Sequence, residues 1–393
     1  MENRIEAIDE ILVLDPLEIE LRIRRKNSIK SFLFGIILIA VSVLIFFFLK
    51  NEEKRKDTDK DGESIEDSEG YIIEDLGNDQ ILEEKINVND EKLNEITKDI
   101  DPEKKTEKAI IKVIKDDPEI IKPKSTKISS RIVQLKNGLI IGLINDPNIK
   151  TSGVAVLTPY GYNIDFIYGF AHFSQHIVYG GSIKYPDNSL FTTKVNNVKG
   201  VSNAFTSIDR SIYMFNSPTQ EFNELLKIFK YMIYRPNLNK TYIKNQIDVV
   251  HSEKLMSNNS ETFFMEMINE ISNPTHPLHN GGVGDNISLN SMENIDELAL
   301  NISLYLRYCL NPNRLKMVIY SDISLDEMQK KVEMFNYKKR LVYNSFINKI
   351  NQKKYDMINN DLFINNTGKI YYNDRSNSSL VSLIFQIKNN TKN

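Results

Sequence analysis

Residues 131–145, RIVQLKNGLIIGLIN, read as two short strands joined by a tight turn. Apolar residues alternate on either side of Lys136-Asn137-Gly138, and an Asn-Gly pair favours the backbone reversal of a hairpin. TSGVAVLTPY at 151–160 continues with a third strand. Further along the chain, 165–180 and 189–199 read as helices, 201–208 and 211–216 as strands, and 219–234, 239–257 and 260–272 as helices. A helix at 291–310, a strand at 315–320 and a helix at 324–336 complete the unit. Strands interleaved with helices predict an α/β (α+β) domain over 131–337, its helices packed on a sheet. The polar, Lys- and Asn-rich stretch 337–367 reads as a linker, and strands near 368–373 and 379–388 as the start of an incomplete second domain within 338–393.

Toward the N-terminus the composition changes. Residues 51–130 hold 24 Asp and Glu against 15 Lys and Arg, with Tyr71 the only aromatic. Such a stretch buries too little apolar surface to offset chain entropy, so 50–130 is expected to be a disordered acidic tether extended by self-repulsion. DTDKDGESIEDSE at 57–69 has the outline of a calcium loop, but Ser68 falls where a bidentate Glu is required. Before the tether, FLFGIILIAVSVLIFFFL at 32–49 is uncharged and long enough, at about 27 Å, to cross the hydrocarbon core of a bilayer as one transmembrane helix. Arg22, Arg24, Arg25, Lys26 and Lys30 precede it, while the basic residues after it are diluted by Glu52, Glu53 and Asp57. That asymmetry places the tail 1–31 in the cytosol and the large C-terminal part on the luminal or extracellular side of a single-pass membrane protein.

The whole chain of 393 residues carries 50 basic and 53 acidic side chains, a balance that argues against nucleic acid as a partner. One cysteine, Cys309, excludes an internal disulfide framework and a cysteine-based zinc module. Chemistry is concentrated in GFAHFSQHIVYGGSIKYP at 169–186. His172 and His176 are four apart, so a helix presents both imidazoles on one face, at the spacing zinc takes from a helix.

This segment resembles the insulinase/pitrilysin family of zinc metallopeptidases, the inverzincins, whose signature is H-x-x-E-H. The resemblance extends through Gly169, Ala171, Gly180 and Lys184-Tyr185-Pro186 to Ser202-Asn203-Ala204-Phe205-Thr206-Ser207, and on through Asn273-Pro274, His276-Pro277 and Gly282–Gly284. It implies a mixed, mainly antiparallel sheet and a Zn2+ ion held by His172, His176 and Glu253, the last lying 77 residues after the second histidine. It also implies that an extended peptide or small-protein ligand adds to the strand at Asn203 and Ala204.

Two departures are chemical. The family's general base and acid, the Glu between the histidines, is Gln175 here, and a carboxamide cannot take a proton near pH 7. A supporting Glu of the family is Gln246, seven residues before Glu253. A third departure is extent: the insulin-degrading branch has four homologous domains, and no counterpart of the Arg and Tyr supplied by its C-terminal half can be placed. The expected function is a membrane-anchored, catalytically impaired homologue that keeps zinc and peptide binding. The alternatives are an active metalloendopeptidase, alone or completed by a homologous partner chain, and a non-catalytic subunit of a heterodimeric processing peptidase.

The remaining candidates read as structural. His251 points about 200° away from Glu253 on a helix and is a neighbour rather than a ligand. His276 and His279 fix a turn, Tyr213 and Phe215 alternate along a core strand, and Cys309 is a buried small residue. Asn258, Asn286 and Asn301 begin N-x-S sequons that matter only in a luminal domain.

Overall fold

The computed structural model describes residues 111–116, 127–256, 260–340, 342 and 344–363. The tail, the 32–49 span, most of the tether and the strands expected after 367 lie outside the described residues. Among the described residues no helix is long and apolar enough to cross a membrane.

Among the described residues seven strands make one sheet: β1 (Lys112–Asp116), β2 (Ser129–Gln134), β3 (Ile140–Asn145), β4 (Thr151–Thr158), β5 (Val201–Thr206), β6 (Ser211–Pro218) and β7 (Lys316–Ser321). Their spatial order is β1-β2-β3-β7-β4-β6-β5. Only β3 and β7 run parallel, with Ile140 opposite Lys316 and Asn145 opposite Ser321; the other neighbours are antiparallel. The sheet is therefore mixed and mainly antiparallel, as expected. Every residue of β6 from Ser211 to Ser217 is buried, which suits an inner strand covered on both faces.

The hairpin joining β2 to β3 turns where the sequence places it, with Gly138 at φ +92°. Asn137 adds a tie that spacing does not reveal. Its Nδ2 donates to the carbonyls of Phe335 and Tyr337 at 2.7 and 2.9 Å, fastening the far end of the domain to the turn.

Nine helices occur among the described residues: α1 (Phe170–Tyr179), α2 (Leu190–Asn197), α3 (Thr219–Tyr234), α4 (Lys240–Met256), α5 (Ser260–Ile271), α6 (Asn286–Leu289), α7 (Ile295–Cys309), α8 (Leu325–Val332) and α9 (Asn344–Asn359). α3 packs on β4 and β6, α8 on β2 and β3, and α1 on β5 and β6. Tyr213, Phe215 and Cys309 all lie in the core, as their patterns predict.

Three expectations are corrected. Residues 112–116, assigned to the tether, form β1, an edge strand whose residues are all exposed. Its charged sequence carries no burial signal, and Arg131 holds it by ion pairing with Asp116 at 2.9 Å. Residues 344–359, assigned to a linker, form α9. Phe346 and Ile350, one turn apart, are buried, and the Phe346 ring meets those of Phe166 and Tyr308 edge-on. The Lys- and Asn-rich remainder of this helix hid that narrow apolar stripe. The third correction concerns α1, expected from 165. It begins at Phe170, because Gly169 takes the left-handed conformation at φ +77° and ends a short 3₁₀ turn, Tyr162–Ile164, and the loop after it.

That glycine sets where the helix enters. A Cβ on Gly169 would lie 2.1 Å from the Cα of Gly284, itself at φ +89°, so two backbones pass in contact. Asp165, fully buried, then caps α1 by accepting from the Ala171 amide at 3.0 and 3.2 Å. Burial raises its carboxyl well above the usual carboxylate range, against the opposing pull of the Ala171 and Phe170 amides.

Gly169→Ala is expected to lower stability by about 2–4 kcal/mol, from left-handed strain and backbone overlap together; chemical denaturation measures it. Phe346→Ala is expected to lower it by about 3–5 kcal/mol, the cost of emptying a buried aromatic site. A shift within about 0.5 kcal/mol, ordinary for a surface position, would instead leave 344–359 outside the folded unit.

Candidate metal centre

α1 and α4 cross beside each other, and their side chains meet. From α1, His172 and His176 project on one face; from α4, Glu253 faces them. The Nε2 atoms of the two histidines are 3.4 Å apart. Glu253 Oε2 lies 3.3 Å from His176 Nε2 and 3.6 Å from His172 Nε2. These three side chains form the group able to hold a metal among the described residues, and all three are half-buried.

The outer nitrogens decide what the inner ones can do. His172 Nδ1 donates to the Val283 carbonyl at 2.8 Å, and His176 Nδ1 donates to Gln246 Oε1 at 3.1 Å. With the ring hydrogens on Nδ1, both Nε2 atoms turn lone pairs toward each other and toward a carboxylate oxygen. Burial first, and the neighbouring His176 second, push the His172 imidazole down to about 4, so it is neutral at pH 7. The His176 ring beside it leads the causes that hold Glu253 below its ordinary range, so it is a carboxylate at that pH.

Three electron-pair donors facing one point fit a divalent cation. Tetrahedral ligands at the Zn–N distance of about 2.0–2.1 Å stand about 3.3–3.4 Å from one another. The separations here match that edge length without rearrangement. The donor set of two imidazoles and one carboxylate is also one that zinc accepts.

The expected ligands His172, His176 and Glu253 are thus brought together, with Gln246 behind His176 in the supporting place. Gln175, only 8 % exposed, sits on the same face of α1, and its Oε1 accepts from Thr206 Oγ1 of β5 at 2.6 Å. Asn203 is exposed and Ala204 half-buried on β5, the last strand of the sheet. His251 lies outside the ligand group. His276 accepts from the Leu278 amide at 3.2 Å, and His279 meets Ser272 Oγ at 3.2 Å, which fixes that turn.

Four contributors escaped the sequence reading. Val283 acts through a backbone carbonyl, which leaves no side-chain signature; the left-handed glycines around it were the available signal. Thr206 stands in the Ser202–Ser207 motif, but the motif does not reveal its contact with Gln175, and Asp165 is a common residue type without distinctive spacing. Tyr179, at the end of α1, donates to the Asn203 carbonyl at 2.6 Å and accepts from the Met214 amide at 3.2 Å. It thereby ties the histidine-bearing helix to the edge strand.

Residues 140–283 match the family model described as Insulinase (Peptidase family M16). Insulin-degrading enzyme-like 2 of Arabidopsis thaliana is 28% identical over 221 residues, 55% of this chain and 23% of that protein. The insulin-degrading enzyme of Drosophila melanogaster is 27% identical over 205 residues, covering 51% and 21%. Nardilysin of Pongo abelii is 29% identical over 177 residues, covering 44% and 15%. The chain thus spans less than a quarter of the length of these curated relatives. The crystal structure of pitrilysin superposes with a TM-score of 0.52 at 22% identity, over 59% of this chain and 25% of that one, a likeness of fold. Residues 140–283, which enclose the two histidines, the edge strand β5 and the glutamate of α4, are thus similar to a domain of the insulinase family, peptidase family M16.

Proposed function

We propose that this domain holds zinc through His172 Nε2, His176 Nε2 and Glu253 Oε2, takes an extended peptide along β5, and hydrolyses it weakly or not at all. The carrying observation is the convergence of two imidazole lone pairs and a carboxylate oxygen at 3.3–3.6 Å, with both Nδ1 hydrogens already engaged. Zinc in such a place supplies a Lewis acid and lowers the pKa of a water it binds.

The chain's own residues divide the remaining tasks. His172 and Glu253 are in their metal-binding protonation states at pH 7. Gln246 orients His176 through its Nδ1 hydrogen but, being neutral, supplies no charge behind the ring. β5 is the last strand of the sheet among the described residues and lies beside α1, and a peptide added along it would be aligned at Asn203 and Ala204. Gln175 can hydrogen-bond but cannot accept a proton near pH 7. Losing general-base catalysis lowers a rate by on the order of 10²–10⁴. Residues 32–49 anchor the chain in a membrane, with 1–31 cytosolic and the domain on the opposite side. This rests on the uncharged run and the basic residues before it.

Purified protein is expected to contain about one zinc per chain by elemental analysis, with metal retention lost in His176→Ala. Zinc-free wild-type protein would overturn the metal assignment. Gln175→Glu is expected to cleave an internally quenched peptide about 100-fold or more faster than wild type. Equal rates would show that Gln175 does not limit hydrolysis.

A further inference from the structure

The Gln175 carboxamide is held in one orientation. Its oxygen accepts from Thr206 Oγ1 at 2.6 Å, and that hydroxyl finds no other acceptor among the described residues. Ser211 Oγ, 3.5 Å from Thr206 Oγ1, gives its own hydrogen to the Tyr160 carbonyl at 3.0 Å, and the short 2.6 Å contact keeps the threonine hydrogen on Gln175. With Oε1 committed to β5, the NH2 group takes the opposite branch of the amide, and it makes no hydrogen bond among the described residues. Gln175 follows His172 by three positions and precedes His176 by one, so this free donor belongs to the ligand face of α1.

Charge points the same way. Two neutral imidazoles and one carboxylate around a divalent cation leave one net positive charge, and Gln175 removes none of it. A glutamate at 175 would cancel that charge and set an acceptor where the NH2 donor now stands. We infer that the site recognises the free terminal carboxylate of a peptide: the cation's charge and the Gln175 NH2 hold the anion, and the chain preceding it lies along β5. This rests on the zinc-binding reading above and adds the ligand class. The chemistry is binding alone, and no bond forms or breaks.

The test uses the full zinc-loaded chain and a fluorescent hexapeptide in two forms, one ending in a free carboxylate and one in a C-terminal amide. Fluorescence anisotropy is expected to show the acid binding at least about tenfold more tightly than the amide. Gln175→Glu should abolish that preference while zinc content stays the same. Thr206→Val, which frees the carboxamide to rotate, should narrow it several-fold. Zinc-loaded wild type binding both peptides within twofold, or Gln175→Glu keeping the full preference, would overturn the inference and leave the zinc assignment standing. Protein that takes up no zinc would overturn both, and metal analysis before peptide is added separates the two failures.

Discussion

Two imidazoles on adjacent turns of one helix aim at a common point only if something outside the helix turns them. Here the Val283 carbonyl and the Gln246 carboxamide do so, one from the loop before α6 and the other from α4. Each takes an Nδ1 hydrogen, which sends the Nε2 lone pairs inward. Everything that positions these acceptors bears on the site. The contact of Gly169 with Gly284 sets the distance from α1 to the loop carrying Val283. The Tyr242 ring fills the space beside Gly180, where a Cβ would meet it at 2.0 Å, and its hydroxyl reaches the His176 carbonyl, so α4 is seated against the end of α1.

The two glutamines belong to the same arrangement in different ways. Gln246 supports a ligand without supplying charge, and Gln175 turns an acceptor toward β5 and a donor away from it. In the function proposed above, the residues that would hold a cation are thus separable from the residue that would move a proton: the first set is present, and the second position is an amide.

The site was more legible in the sequence than its setting. His172, His176, Gln175, Gln246 and Glu253 stand out because helical spacing and a family signature constrain residue type at fixed intervals. Val283 does not, because any residue has a carbonyl. The hairpin at Asn137-Gly138 was readable from turn chemistry, whereas the grip of Asn137 on Phe335 and Tyr337 joins segments about 200 residues apart in sequence and leaves no local trace. β1 and α9 were missed for opposite reasons. The first buries no side chain and is held by main-chain pairing and an arginine, and the second buries two residues among many lysines and asparagines.

The parallel pairing of β3 with β7 has a consequence for how the chain reaches this state. Ile140 cannot find Lys316 until some 175 intervening residues have been made, and every side chain of the candidate site lies between them. On a ribosome, β3 therefore emerges with one side of its ladder open and stays so while α1 to α7 are synthesised. Loop closure over that distance opposes early pairing, and the exposed strand is vulnerable to mispairing until β7 arrives. The strand that completes the sheet lies beyond all of the site residues in the chain, so the candidate site is fully synthesised before the scaffold around it closes.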